Sequence, residues 1–227
     1  MVSMAVTDAA ITHIKEMILN GELSPGDRLP PEKELSEKLG LSRSSLREAV
    51  KALELIRVLD VRRGDGTYVT SLEPGLLAEA MGFVVDLHRD SSVLELLEVR
   101  RILEPSAAGL AAQRRDEEHL AALEESISHV NAGTELPELI EHDLQFHSII
   151  AQSAKNSYLE TLLDALSSKT VRARVWRGLT QDNAVQRTLD EHQAILAAIR
   201  NADADLARAL VTAHISGVET WLRRATT

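Results

Sequence analysis

Apolar residues recur at every third or fourth position along most of this chain, which is the spacing of one face of an α-helix. Over the first 70 residues the pattern predicts three helices: the first ends near Asn20–Gly21, the second runs from Pro31 to Gly40, and the third follows Ser42 as its N-cap. The β-prone runs VLDVRR and TYVTS come next, with GDG between them, which indicates a hairpin. This order of elements predicts a winged helix-turn-helix.

The rest of the chain follows SLEPG, a short linker at residues 71–75, and is helical nearly to its end. Its periodicity and its polar breaks predict helices over approximately 76–88, 92–113, 116–131, 135–153, 157–178, 183–200 and 203–224. We therefore predict a mainly α protein, with an N-terminal winged helix-turn-helix domain at residues 1–70 and a C-terminal all-α antiparallel helical bundle at residues 76–227.

The composition restricts where the protein acts and which chemistry it uses. The chain has no cysteine, which excludes disulfides and thiolate metal sites and suits a reducing cytosol. Its first ten residues, MVSMAVTDAA, lack the basic and apolar regions of a signal peptide. The apolar runs are far shorter than the roughly 18 residues that a membrane span needs. We expect a cytoplasmic protein that does not bind a membrane.

The chain is acidic, with 25 Lys and Arg against 35 Asp and Glu, but its charge is unevenly distributed. Residues 1–70 contain 10 basic and 11 acidic residues, whereas residues 71–227 contain 15 and 24. Within residues 38–63, seven basic residues against three acidic ones leave a local charge of +4. A solvated helix face explains such a cluster, and so does a surface that binds a polyanion.

The predicted third helix carries side chains that suit DNA. Arg43 and Arg47 lie one turn apart on the face opposite the apolar residues, and an arginine can donate two hydrogen bonds to one guanine. Three short donors at the N-terminal turn suit phosphate oxygens, which the helix dipole also favours: Ser42, Ser44 and Ser45. The helix is therefore predicted to enter the major groove with this turn first.

The wing completes this interpretation, with Arg62, Arg63 and Gly64 predicted at its tip. The stretches SPGDRLPPEKELSEKLGLSRSSLREAVKALE and VRRGDGTYV resemble the DNA-binding domain of the GntR family of bacterial regulators, over about residues 8–70. The resemblance implies DNA contacts by Lys33, Arg43, Arg47, Arg63 and Gly64, with Ser42, Ser44 and Ser45 on phosphates. The chain departs from the family at Lys33, which replaces an arginine, and at Arg57, which replaces a glycine.

Polar residues interrupt the apolar stripes of three helices in the second part of the chain. Asp143 and His147 are four residues apart and point to the same side of one helix, and His192 and His214 lie on the stripes of the last two. One buried histidine is usually a hydrogen-bonded core residue, whereas an unpaired buried aspartate is costly. Together the four leave two interpretations open, a polar core and a site for Zn²⁺ or another transition metal. The remaining histidines are predicted to lie at the surface: His13, His88, His119, His129 and His142.

Arg100 is a further polar residue on an apolar stripe, and a buried arginine needs an anion. Glu104, four residues later, is one candidate, and a carboxylate ligand is the other. Arg174 lies on the apolar side of its own helix and is a weaker candidate for binding a ligand.

The segments LLEVRRILEPSAAGLAA, DLQFHSIIAQSAKNSYL and DEHQAILAAIRNADADLARALVTAHI are similar, in this order, to the ligand domain of the FadR subfamily of GntR regulators. The resemblance implies a metal, zinc first with nickel or manganese as alternatives, that is held by Asp143, His147, His192 and His214. It also implies a small carboxylate effector that contacts the metal and Arg100. Members without the histidines bind acyl-CoA, so a fatty-acyl ligand is not expected.

These patterns predict a DNA-binding transcriptional regulator, a repressor in the first instance, and not an enzyme. One small winged helix contacts few base pairs, so we expect a homodimer on a two-fold symmetric operator. Three alternatives remain: a metal-dependent hydrolase, in which an open coordination position activates water; a regulator with a purely structural metal; and a non-regulatory DNA-organising protein.

Overall fold

The computed structural model describes residues 2–75, 93–181 and 183–225, and the chain divides into two compact units, residues 1–76 and residues 77–227. Each unit has its own hydrophobic core. The helix predicted over 76–88 lies outside the described residues. Within the described ranges, no helix combines the length and the apolar character that crossing a membrane requires.

The first unit is a winged helix-turn-helix, which confirms the prediction. Its elements in chain order are α1 (Val2–Leu19), α2 (Glu32–Leu39), α3 (Arg43–Leu55), β1 (Leu59–Arg62) and β2 (Gly66–Val69). The two strands are antiparallel, with Arg62 opposite Gly66. The core lies between the three helices and the hairpin and includes Ile14, Leu35, Leu46, Leu53, Leu59 and Val69.

The helix ends in this unit follow from local chemistry. Gly40 ends α2 in the left-handed conformation with φ of 65°, which glycine adopts without strain. The hydroxyl of Ser42 accepts a hydrogen bond from the backbone N–H of Ser45 at 3.1 Å and so caps α3. Arg57, after α3, also adopts a left-handed conformation (φ 60°), and Thr70 donates a hydrogen bond to its carbonyl at 2.7 Å. The turn before the wing therefore keeps a glycine-like backbone although its residue is arginine.

The second unit is all α, as predicted, in the part that the structure describes. Its helices are α4 (Val93–Arg114), α5 (Glu117–Ser128), α6 (Leu136–Ser153), α7 (Ser157–Lys169), α8 (Val171–Thr180), α9 (Ala184–Arg200) and α10 (Ala204–Ala225). Helix α4 packs along α10 and also contacts α6, α7 and α9, so it runs through the centre of the unit. The largest core cluster includes Leu123, Phe146, Ile150, Ile195, Val211 and Ile215.

The prediction of one helix over 157–178 was wrong. The segment forms α7 and α8, which meet at Thr170, where the backbone (φ −97°, ψ 4°) leaves the helical region. The buried Thr170 hydroxyl accepts hydrogen bonds from Arg100 at 2.7 Å and from Arg174 at 3.0 Å. Periodicity did not reveal this break because both halves keep apolar residues on the same side.

Candidate metal centre and nucleic-acid interface

Helix α3 exposes the side chains that were predicted to read DNA. Arg43, Ser44 and Arg47 are exposed, whereas Leu46 and Ala49 are fully buried on the opposite face. The amphipathic pattern of α3 therefore fixes which of its residues face solvent, and the arginines lie on that face.

The polar groups around the N-terminal turn of α3 are held by weak surface contacts. Arg47 Nε donates to Glu32 Oε2 at 2.8 Å, and both side chains are about half exposed. Such a pair contributes no more than about 1 kcal/mol, so a DNA contact can replace it at little cost. The hydroxyl of Ser42 lies 2.9 Å from that of Ser44 and 2.8 Å from that of Ser45. Lys33 is exposed near the start of α2.

The wing turn consists of Arg63, Gly64 and Asp65, between paired strands. Gly64 has a φ of 79°, a left-handed conformation that an L side chain would strain, and both Arg63 and Gly64 are exposed. Arg62 is instead the last residue of β1, and its guanidinium lies 4.2 Å from the centre of the Tyr68 ring. Arg63 and Gly64 thus occupy the tip, and Arg62 lies beside it.

The structure brings Asp143, His147, His192 and His214 together inside the second unit. All four are buried, and one ligand atom of each lies within 4.8 Å of the others. The Nε2 atoms of His147 and His214 are 3.2 Å apart, and His192 Nε2 lies 3.4 Å from Asp143 Oδ1. That oxygen is 3.8 Å from each of the other two nitrogens. Donors bonded tetrahedrally to zinc lie roughly 3.3 Å apart, so these separations fit one ion.

The protonation states of these groups also fit a metal. Burial lowers the pKa of His147, and it lowers that of His192 to about 3, because the charged imidazolium would be desolvated, although nearby carboxylates oppose the shift. Burial disfavours the charged form of Asp143, but Arg174 and the histidines outweigh it and hold its pKa well below the usual range. Neutral imidazoles and a carboxylate are the forms that bind metals. His192 Nε2 is buried with no hydrogen-bond partner among the described residues, which a metal would supply.

Two of the histidines have carboxylates behind them. His214 Nδ1 lies 2.7 Å from Glu191 Oε2 and donates its N–H to it, which keeps the Nε2 lone pair directed at the centre, the usual arrangement behind a metal-bound histidine. His147 Nδ1 lies 2.8 Å from Glu104 Oε2, an ion-pair contact whose geometry is not that of a hydrogen bond. Burial disfavours ionised Glu104, but Arg100 and His147 more than compensate, so its pKa lies well below the usual range.

The third histidine is oriented by a neutral relay, and the prediction that His142 lies at the surface was wrong. His142 is buried, with its Nε2 2.9 Å from His192 Nδ1 and its Nδ1 3.0 Å from Ser126 Oγ. When His192 presents the Nε2 lone pair to the centre, its Nδ1–H donates to His142, which in turn donates to Ser126. The His192 ring also stacks on Phe146, with ring centres 4.1 Å apart.

The two predicted effector arginines occupy different positions. Arg174 Nη1 donates to Asp143 Oδ2 at 2.5 Å, so this arginine fixes the carboxylate of the donor set. Arg100 is 1% exposed. It donates through Nε to Glu104 and through Nη1 to Thr170 at 2.7 Å. In the part of the chain that the structure describes, its Nη2 has no hydrogen-bond partner.

A small cavity adjoins the donor set. Its volume is about 40 Å³, and its lining includes Arg100, Asp143, Arg174, Arg177, His214 and Ile215. Since a cavity that holds one water has at least about 10–15 Å³, this one suits a ligand of few heavy atoms. Its cationic lining favours an anion.

Sequence reasoning missed Arg177, Glu191, His142 and Ser126 as residues near the site. Arg177 follows Arg174 by three residues, so the two lie on the same side of the helix. Arginines on an exposed helix face often have the same spacing, so the spacing alone does not identify Arg177 as a site residue. The partners of the metal-site histidines come from other helices, so the sequence alone had no spacing that could reveal them.

Both units match families of known proteins. The model of the gntR family of bacterial regulatory proteins matches residues 7–69, and that of the FCD domain matches residues 95–217. The HTH-type transcriptional regulator LutR of Bacillus subtilis is 33% identical over 211 residues, which cover 89% of this chain and 94% of that protein. The galactonate operon transcriptional repressor of Escherichia coli is 30% identical over 226 residues, which cover 97% and 98%. A solved GntR structure from Streptococcus agalactiae matches at 29% identity with a TM-score of 0.70, over 94% of this chain and 99% of that one.

Proposed function

Because this chain belongs to the gntR family of bacterial regulatory proteins and carries an FCD domain, we propose that it binds a DNA operator as a repressor whose affinity depends on a small carboxylate bound beside a metal. Like its relatives, it is a transcriptional regulator and not an enzyme. One observation carries the effector part of the proposal: a buried three-histidine and aspartate set adjoins a cavity that a buried arginine lines.

In this proposal, the exposed face of α3 enters the major groove. Arg43 and Arg47 contact base edges, and the serines of the first turn contact phosphates, helped by the positive end of the helix. Arg63 and Gly64 approach the neighbouring groove from the wing, and Lys33 contacts the backbone. A lysine at this position donates to a phosphate as a point charge and lacks the fork with which arginine recognises guanine.

The metal would be held by Asp143, His147, His192 and His214, with zinc as the first choice because imidazole and carboxylate ligands suit it. When bound, it supplies a coordination position for a carboxylate oxygen. Arg100 donates from Nη2 to the same carboxylate, while Glu104 and Thr170 hold the guanidinium in place. Arg174 keeps Asp143 oriented.

The protein acts as a homodimer in this proposal, because two winged helices are needed to select a site in a genome. The effector changes operator affinity only if it binds two arrangements of the dimer with different affinity. A short linker at residues 71–75 would let a small helix movement change the spacing of the two α3 helices. A monomer in sedimentation at micromolar concentration, with and without DNA, would contradict this part.

A second function rests on the same residues. The ligands lie on three helices, α6, α9 and α10, so a metal bound there would also tie the unit together without sensing any ligand. A purely structural metal predicts that no small acid binds beside it.

The experiment that tests the proposal begins with selecting bound DNA from genomic fragments, and then measures operator affinity by fluorescence anisotropy at fixed salt. Zinc-loaded and metal-free protein are compared with and without a panel of short carboxylic acids. We expect at least one acid to change the affinity of the zinc-loaded form alone. In Arg100→Lys, which keeps a charge beside Glu104 but removes Nη2, the metal should stay and the response should be lost. A response that Arg100→Lys retains in full would contradict the role of Arg100.

A further inference from the structure

A second arginine lines the effector cavity with an unsatisfied donor. Arg177 lies on α8 and is 4% exposed. Its Nε donates to Gln181 Oε1 at 2.6 Å, but no hydrogen-bond partner for its Nη2 is found in the described part of the chain. A buried donor without a partner costs about 1–3 kcal/mol, so such groups call for an explanation such as a bound ligand.

The position of this donor is close to the metal-binding helix. A Cβ atom built on Gly217 would lie 3.7 Å from Arg177 Nη2, which places the guanidinium beside α10, one turn after His214. Arg100 reaches the same cavity from α4, where Thr170 and Glu104 hold it. Two buried guanidinium groups from different helices, α4 and α8, therefore line the cavity, and each has an Nη2 without a hydrogen-bond partner among the described residues.

The charges around the cavity point to a ligand with more than one negative group. The cavity lining contains three buried arginines, and two of them are paired with buried carboxylates: Arg100 with Glu104 and Arg174 with Asp143. Among the described residues, the hydrogen-bond partner of Arg177 is the neutral amide of Gln181. A monocarboxylate held at the metal and Arg100 would leave Arg177 without an anion, whereas a dicarboxylate would place its second group there.

We propose that Arg177 receives a second carboxylate of the effector, so that the ligand is a short dicarboxylate whose other end lies at Arg100 and the metal centre. The cavity volume of about 40 Å³ restricts the ligand to a short carbon chain. This inference rests on the proposed function, because it assigns the second end of the same ligand. It makes Arg177 the residue that selects a diacid over a monoacid.

The test compares diacids with half-amides that have almost the same shape but one charge fewer. Malonate and malonamate, and succinate and succinamate, are titrated into zinc-loaded full-length protein by calorimetry. Zinc content is measured after dialysis against each acid, because diacids can chelate the ion. We expect the better diacid to bind roughly 10- to 100-fold more tightly than its half-amide, the range for a hydrogen bond to a charged group.

Arg177→Gln should bring the two affinities within about threefold of each other, because the amide cannot pair with the second charge and the diacid therefore loses more affinity than the half-amide. Arg177→Lys, which keeps the charge without the fork, should retain part of the preference and provides a second variant if Arg177→Gln folds poorly. Arg200→Gln removes an exposed arginine from the C-terminal end of α9 and should keep the wild-type preference.

The outcomes separate this inference from the proposed function. Equal binding of diacid and half-amide to the wild type, or a full preference in both Arg177 variants, would overturn the role of Arg177 and leave the effector site standing. If neither acid bound the zinc-loaded wild type at millimolar concentration, both the inference and the proposed effector site would be overturned.

Discussion

Replacing His142 by leucine should weaken metal binding although His142 is not a ligand. His142 Nε2 lies 2.9 Å from His192 Nδ1, and when His142 accepts a hydrogen bond from that Nδ1–H, the Nε2 lone pair of His192 is free for the ion. Leucine fills most of the volume but accepts no hydrogen bond. His192 then loses the contact that selects its tautomer, and a fraction of molecules carries the proton on Nε2, where it blocks coordination.

The size of the effect follows from what the variant removes. Two neutral hydrogen bonds are lost, those to His192 at 2.9 Å and to Ser126 at 3.0 Å, and each contributes about 1 kcal/mol. Loss of a group behind a ligand typically lowers metal affinity by about 10- to 100-fold. No buried charge is left unpaired, so the metal-free protein should lose only about 1–3 kcal/mol of stability. His142→Gln, whose amide oxygen can accept from His192, should recover part of the affinity.

Zinc affinity is measured by competition with a chromogenic chelator, and tautomers are read from the ¹⁵N shifts of the histidine rings. His129→Leu changes an exposed histidine next to the end of α5 and serves as the control. If His142→Leu bound zinc as tightly as the wild type and His192 kept its tautomer, the relay would have no role in orienting His192.

Further predictions concern DNA, the ligands and pH. Arg43→Ala should lose about 1–3 kcal/mol of operator affinity in anisotropy titrations, whereas Ser44→Ala should weaken all sequences alike; unchanged operator affinity in Arg43→Ala would exclude α3 as the reader. His214→Ala should lower metal content and the melting temperature but leave effector-free DNA binding nearly intact; loss of DNA binding without effector would contradict this. In the metal-free protein, burial lowers the pKa of His147 and lowers that of His192 to about 3, so the unfolded chain binds more protons below pH 6.5, and the free energy of unfolding should fall as the pH drops from 6.5 towards 3. A flat urea-denaturation profile over that range would refute the assigned neutral state.

The architecture could be predicted because it depends on local signals. Ser42 as a cap, Gly40 as a helix stop and the GDG turn are short-range features, and each acts as its local chemistry requires. The break at Thr170 was missed because it depends on hydrogen bonds from Arg100 and Arg174, one of which lies 70 residues away in the sequence. Apolar periodicity carries no information about such a contact.

The candidate site could be predicted only as far as side chains share a helix face. Asp143 and His147 are four residues apart, so their convergence follows from helix geometry. His142 is next to Asp143 and therefore points about 100° away, off the apolar stripe, where periodicity predicts solvent. The structure instead packs α5 and α9 against that side, so the residue is buried between Ser126 and His192. Burial on a second face is set by tertiary packing, which the sequence pattern of one helix does not contain.

The proposed effector pocket requires that the buried histidine and aspartate set holds one metal ion, and native mass spectrometry of the zinc-treated full-length chain tests this most directly. We predict one zinc per chain in the wild type and none in the Asp143→Ala, His147→Ala double variant, with His129→Leu retaining the ion. Full zinc occupancy in the double variant would contradict the site and with it the proposed effector pocket.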